Sequence, residues 1–191
     1  MSADMFVRPA RPSDAADLAR IQVASWRAGY SGLVPVPVLE ELTNPAAEDR
    51  WRAQWHAAIT GPPTGRHRVL VAVETVDAAE GGEGRERIVA GFTSFGPATD
   101  PDRWPATDAE LYELRVDPER TGRGHGSRLL NALADAVTED GFQTLCAWAL
   151  ESDEALREFL ASAGWQPDGA RRNLDMGTPV PELRLHVAIG V

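Results

Sequence analysis

The chain has 191 residues, 43% of them hydrophobic and 25% charged, which suits one sizeable core and is too apolar for a disordered segment. Its formal net charge of −10 argues against nucleic acid as a partner, because binding a phosphate backbone needs a broad basic face. A single cysteine excludes an internal disulfide framework, and the four histidines show no paired ligand spacing, so no metal centre is expected.

In chain order, Met5 to Pro9 reads as a first strand, and Ser13 as the cap of a helix carrying Ala16, Leu18, Ile21, Val23 and Trp26. The segment Ser31 to Pro37, with Pro35 and Pro37, breaks that helix. A second helical region runs from about Asn44 through Trp51 and Trp55 to Ile59, and Gly61-Pro62-Pro63 makes a turn. His67 to Val76 and Arg87 to Gly96 read as an antiparallel hairpin, joined by the polar, glycine-rich loop Asp77 to Glu86, which is expected to be mobile and not chemical. After the loop Pro97 to Asp108 comes a strand, Glu110 to Val116, then a helix with Leu129, Leu130, Leu133, Ala134 and Val137 at helical spacing, stopped by Gly141. Thr144 to Leu150 is a further strand, and Cys146 inside its apolar run is expected to be a buried thiol. Asp153 or Ser152 caps a helix with the apolar stripe Leu156, Phe159, Leu160 and Ala163, ended by Gly164. Glu182 to Ile189 is the last strand. No repeat or second domain is visible, so residues 1–191 are expected to form a single domain. No apolar run approaches a membrane span and no charged-then-apolar leader stands at the N-terminus, so a cytoplasmic location is expected.

The most informative stretch joins the strand ending at Val116 to the following helix: Asp117-Pro118-Glu119-Arg120-Thr121-Gly122-Arg123-Gly124-His125-Gly126-Ser127. Three glycines at alternate positions of a strand-to-helix turn let backbone N–H groups converge on one anion, and the positive end of the helix dipole adds to their pull. The turn reads as a phosphate cradle. It lacks the Gly-Lys-Ser/Thr of a P-loop and the G-x-G-x-x-G of a dinucleotide fingerprint, so a nucleotide-binding protein is a distant alternative. Arg115, Arg120, Arg123 and Arg128 surround the turn against Asp117 and Glu119, a locally basic spot on an acidic chain. His125, inside the turn, is expected to face away from the ligand.

The x-x-x-G-x-G spacing headed by Thr121 resembles the coenzyme A pyrophosphate loop of the GNAT superfamily of N-acetyltransferases, in which the head position is usually Gln or Arg. A second stretch carries the same resemblance. Trp148-Ala149-Leu150-Glu151-Ser152-Asp153, leading to Phe159-Leu160-Ala161-Ser162-Ala163-Gly164-Trp165, is similar to the family's V-L-E-x-N and F-Y-x-x-x-G-F, with Asp153 for Asn and Leu160 for the tyrosine that usually protonates the departing thiolate. The resemblance implies an α/β (α+β) GNAT fold: a central mixed, mostly antiparallel twisted sheet of about seven strands flanked by helices, with a splayed pair of parallel strands holding acetyl-CoA. The order β-α-α-β-β-β-α-β-α-β-β follows that fold along nearly the whole chain, with no residues assigned above to the strand after the last helix. It implies acetyl-CoA as acyl donor, with no metal. Leu114, Arg115, Val116, Thr121, Gly122, Arg123, Gly124, His125, Gly126, Ser127 and Asp153 would be its binding residues, and the strand backbone would pair with the pantetheine arm.

The implied reaction is attack of an amine on a thioester. An alkyl amine with a pKa near 10.4 is mostly ammonium at neutral pH and must lose a proton, for which a carboxylate is the candidate base. Glu110, which opens the strand before the turn, is the first choice and Glu113 the alternative; period-two alternation puts them on opposite faces unless a bulge intervenes. With Leu160 at the usual acid position, the thiolate would leave unaided, or water, Tyr112 or Tyr30 would protonate it. Trp26 and Tyr30, within Ser25-Trp26-Arg27-Ala28-Gly29-Tyr30, resemble an S-W-x-x-x-Y pattern of bacterial members and are the candidate substrate-binding residues. The expected partner is a small-molecule or peptide amine, and a homodimer is compatible with the family. A non-catalytic acyl-CoA-binding or sensory module, suggested by Leu160, is the alternative function.

Overall fold

Residues 4–77 and 84–189 are described by the computed structural model. Seven strands, β1 (Met5–Pro9), β2 (Arg68–Asp77), β3 (Arg85–Pro97), β4 (Asp108–Val116), β5 (Thr144–Leu150), β6 (Gln166–Asp175) and β7 (Pro179–Ala188), form one sheet in the order β1-β2-β3-β4-β5-β7-β6. Every neighbouring pair is antiparallel except β4 and β5, which run parallel, so the sheet is mixed and mostly antiparallel as expected. The tip of the hairpin loop expected at Asp77 to Glu86 lies, from 78 to 83, outside the described residues.

Alternation along β2 supplies two cores, one on each face of the sheet. Val71 and Val73 meet Val89 and Phe92 of β3 under α1 (Ala15–Gly29) and α3 (Pro45–Thr60), where Leu18, Ile21 and Trp55 pack. Trp55 sits edge-on to Phe92 with ring centroids 4.8 Å apart. Leu70, Phe95, Leu111 and Leu145 face the opposite side, against Leu130, Leu133 and Val137 of α4 (His125–Glu139) and Leu160 of α5 (Glu154–Ser162). Burying each such side chain contributes about 1.5–3 kcal/mol. The Cys146 thiol is buried on β5, and desolvation pushes it up to about 12.

Three expectations change. Ser13 does not cap α1: it lies in a 3-10 turn, Pro12–Asp14, and Asp14 instead accepts the Arg11 amide at 2.6 Å and pairs with Arg8. The proline-bearing segment holds an extra helix, α2 (Val36–Thr43), because Pro37 falls in its first turn, where a missing N–H leaves no helical hydrogen bond unmade. β6 stood in the expected order without residues of its own, because its side chains are all exposed or half-buried and carry no apolar alternation, as suits an edge strand.

The register of β4 matters most for the site. Glu113 opposes Ser94 and Leu111 opposes Phe95, so Tyr112 is an extra, unopposed residue. Pairing of β4 with β5 covers Asp108 to Leu111 against Thr144 to Ala147 and stops there. From Tyr112 onward the two strands part.

Leu160 is fully buried in the core that also holds Leu133 and Leu145. Leu160→Ala is expected to lower unfolding free energy by about 2–5 kcal/mol in a denaturant titration; a loss under about 1 kcal/mol would contradict its place in the core.

Candidate active site

The parting of β4 and β5 leaves one edge of β4, from Tyr112 to Val116, without a strand partner. A cleft of about 470 Å³ follows that edge, lined by Leu114 and Val116 on one wall, Leu156 and Phe159 of α5 on the other, and Arg120, Thr121, Gly122, Gly124, His125, Gly126 and Ser127 at its end. Asp153 holds the second wall in place: its carboxylate accepts the Leu156 amide at 3.0 Å and caps α5, as expected, but it does not line the cleft.

At the closed end the chain turns through a 3-10 turn, Pro118–Arg120, and enters α4. Gly122 and Gly124 take φ of 74° and 82°, a left-handed conformation that side chains disfavour. A Cβ on Gly124 would stand 2.7 Å from Arg128 Nη1, and one on Gly126 would press on Phe159 at 3.3 Å. Among the described residues, none of the amide nitrogens from Thr121 to Ser127 donates to a backbone acceptor; the first helical bond is from Arg128 to Gly124. A run of free amides at a helix N-terminus, opening on a cleft, is suited to a polyphosphate.

The turn is anchored from below by a residue the sequence reading missed. Glu74 of β2 is buried and receives Arg120 at 2.9 Å and Arg123 at 3.1 Å, with His125 Nε2 3.3 Å away. Burial alone would raise the Glu74 carboxyl, but the two guanidinium hydrogen bonds outweigh it and hold it below the usual carboxylate range. His125 is buried, and desolvation lowers its pKa against the pull of Glu74, so the imidazole is neutral near pH 7. Asp117, at the start of the turn, receives Arg20 of α1 at 2.8 Å. Of the expected basic cluster, Arg120 and Arg123 share the one carboxylate of Glu74, and Arg128 donates to the Arg123 carbonyl at 3.1 Å. A charged residue in the apolar run Val69 to Val76 was the signal for Glu74.

Arg115 is not at the turn. Its side chain enters a second cavity, of about 290 Å³, together with Trp26, Tyr30, Glu110, Glu113, Trp148, Arg172 and Glu182, among others. Arg115 donates to Glu113 at 2.8 Å and to the Tyr30 oxygen at 2.9 Å. Burial opposes its charge, but Glu113 and Tyr30 more than restore it, and its pKa is raised. Trp26 and Tyr30 stack with centroids 5.8 Å apart. Burial raises the Tyr30 phenol and pushes Tyr112 up to about 12, so both keep their protons near neutrality. Tyr112 donates to the Pro97 carbonyl at 2.7 Å.

Both candidate carboxylates line this second cavity, because the extra residue Tyr112 cancels the alternation that would have separated them. Their partners differ. Glu113 is committed to Arg115, whereas Glu110, buried, accepts the Thr99 amide at 3.1 Å and the Thr99 hydroxyl at 2.9 Å on one oxygen. The loop bearing Thr99 is tied down by Arg184, which pairs with Asp100 and Asp102 of that loop and Asp168 of β6, and by Trp148 Nε1 donating to Asp100 at 2.9 Å. Among the described residues no helix is long and apolar enough to cross a membrane, and no cluster of three metal-ligating side chains occurs.

A profile of the acetyltransferase (GNAT) family matches residues 36–165. The uncharacterized N-acetyltransferase YuaI of Bacillus subtilis is 28% identical over 150 residues, covering 78% of this chain and 74% of YuaI. Among solved structures, the PaiA N-acetyltransferase of Thermoplasma acidophilum in complex with coenzyme A superposes with a TM-score of 0.67 at 15% identity, covering 97% of this chain and 99% of that one. A GCN5-related N-acetyltransferase from Rhodopseudomonas palustris gives a TM-score of 0.66 at 24% identity over 99% of both chains. These two share the fold.

The Glu74 anchor carries a pH signature. Its folded-state pKa lies below the unfolded value of about 4.3, so the stability it confers is complete above that value and is lost as pH falls through the folded one. Glu74→Gln is expected to lower unfolding free energy at pH 7 by about 1–3 kcal/mol, the difference from wild type narrowing below about pH 4.5. A constant difference from pH 7 to pH 3 in chemical denaturation would contradict it.

Proposed function

The chain belongs to the acetyltransferase (GNAT) family, and from that premise we propose that it moves the acetyl group of acetyl-CoA to a primary amine held in the second cavity. The carrying observation is the pair of cavities on either side of the point where β4 and β5 separate: one ends in free amides, the other holds a buried carboxylate. The amides of Thr121 to Ser127 would hold the diphosphate, the free edge of β4 would pair with the pantetheine arm, and Leu114, Val116, Leu156 and Phe159 would flank it. That arrangement brings the thioester to the end of the strand contact, near the bulge.

Glu110 is the general base in this reading. Thr99 orients one carboxylate oxygen with neutral donors, leaving the other for the amine, while Glu113 is held by a cation. At pH 7.4 only about one alkyl amine in a thousand is unprotonated, so removing the proton is a large part of the barrier. Glu110 takes that proton and returns it to solvent, the amine nitrogen bonds to the acyl carbon, the carbon–sulfur bond breaks with its electron pair on sulfur, and the second proton shed by nitrogen reaches that thiolate through water. A thiolate whose conjugate acid has a pKa of about 8.5 leaves readily and takes its proton from water, so the buried Leu160 in place of a tyrosine is no obstacle. A module that merely bound acyl-CoA would have no use for a buried carboxylate without a cationic partner in the neighbouring cavity.

Glu110→Gln is expected to lower kcat by about 10²–10⁴-fold in a thiol-release assay, with acetyl-CoA affinity by calorimetry unchanged. Turnover at the wild-type rate would remove Glu110 from the mechanism.

A further inference from the structure

Charge pairing inside the second cavity narrows the acceptor. Three carboxylates, Glu110, Glu113 and Glu182, and two guanidiniums, Arg115 and Arg172, line it. Both guanidiniums are matched. Arg115 is held by Glu113 and Tyr30, and Arg172 donates to Glu182 at 2.5 Å while lying 4.2 Å over the Trp148 ring. Glu110 has no cationic partner among the described residues. The walls thus carry one uncompensated negative charge, and much of the rest is apolar: Val34, Leu42, Leu150, Leu174 and Met176.

We propose that the acceptor is a small monoamine, with a single positive charge and a flat apolar body; this rests on the acetyltransferase reading of the same cavity. Its ammonium neutralises Glu110, and its body lies among the apolar and aromatic side chains that line the pocket, Trp26, Tyr30 and Trp148 included. A second ammonium finds the other carboxylates already paired and loses hydration without a counter-charge. An acceptor carboxylate gains a guanidinium only by displacing Glu113 or Glu182, which leaves that side chain unpaired beside Glu110. The cavity, of about 290 Å³, is large enough for an ammonium and a small apolar body.

The test uses the full-length protein with saturating acetyl-CoA and compares thiol release with 2-phenylethylamine, spermidine, phenylalanine and an alanine-led hexapeptide. The expected kcat/KM for 2-phenylethylamine exceeds each of the others by at least about 30-fold. A smaller ratio, or a higher value for any of the three, overturns the acceptor class and leaves the acetyltransferase reading standing. Acetyl-CoA binding by calorimetry with no turnover on any of the four overturns both.

Discussion

One extra residue in a strand organises the functional half of this molecule. Tyr112 has no counterpart on β3, and the parallel ladder between β4 and β5 ends at the residue before it. A bulge bends and twists the strand that carries it, and here the bend coincides with the separation of the only parallel pair among the described strands. Three consequences follow from that single insertion. The edge of β4 is freed along one cleft, Glu113 is turned to the same cavity as Glu110, and β5 is free to present Trp148 and Leu150 as the opposite wall.

Compensation of charge is the second theme. An acidic chain with net charge −10 places its arginines where they are matched by carboxylates from distant segments: Arg120 and Arg123 on Glu74, Arg20 on Asp117, Arg184 on Asp100, Asp102 and Asp168. Buried pairs of this kind add little net stability, but they fix loops, since removing one partner strands the other. The anchored loops are the two the chemistry needs, the glycine turn and the segment bearing Thr99. Against that background a buried carboxylate met by neutral donors is conspicuous, and Glu110 is that group. The contrast with Glu113 is one of partners and not of position.

Most of the fold was legible because its signals are local. The apolar spacing of Leu129, Leu130, Leu133 and Val137 defined α4, and of the two candidate caps of α5, Asp153 and Ser152, Asp153 is the one that caps it. The glycines at 122, 124 and 126 announced the turn, and the φ angles at the first two show why glycine is favoured there. What escaped was long-range. Glu74 lies 46 residues before Arg120 and meets it only because β2 and the turn are neighbours in the folded sheet. Arg115 was drawn to the turn by proximity in sequence, although a strand residue five positions before Arg120 has no obligation to share its direction. The bulge at Tyr112 leaves no mark in composition, so whether Glu110 and Glu113 share a face could not be decided before the register was seen. Helix α2 was hidden by its own proline, and β6 by its exposure.

The most direct measurement is a crystal structure of the protein with acetyl-CoA. The arrangement of strands predicts the pantetheine arm paired along the β4 edge from Tyr112 to Val116, the diphosphate on the amides of Thr121 to Ser127, and the acetyl carbon facing Glu110. A carrier seated elsewhere, with that edge still uncovered, would contradict it.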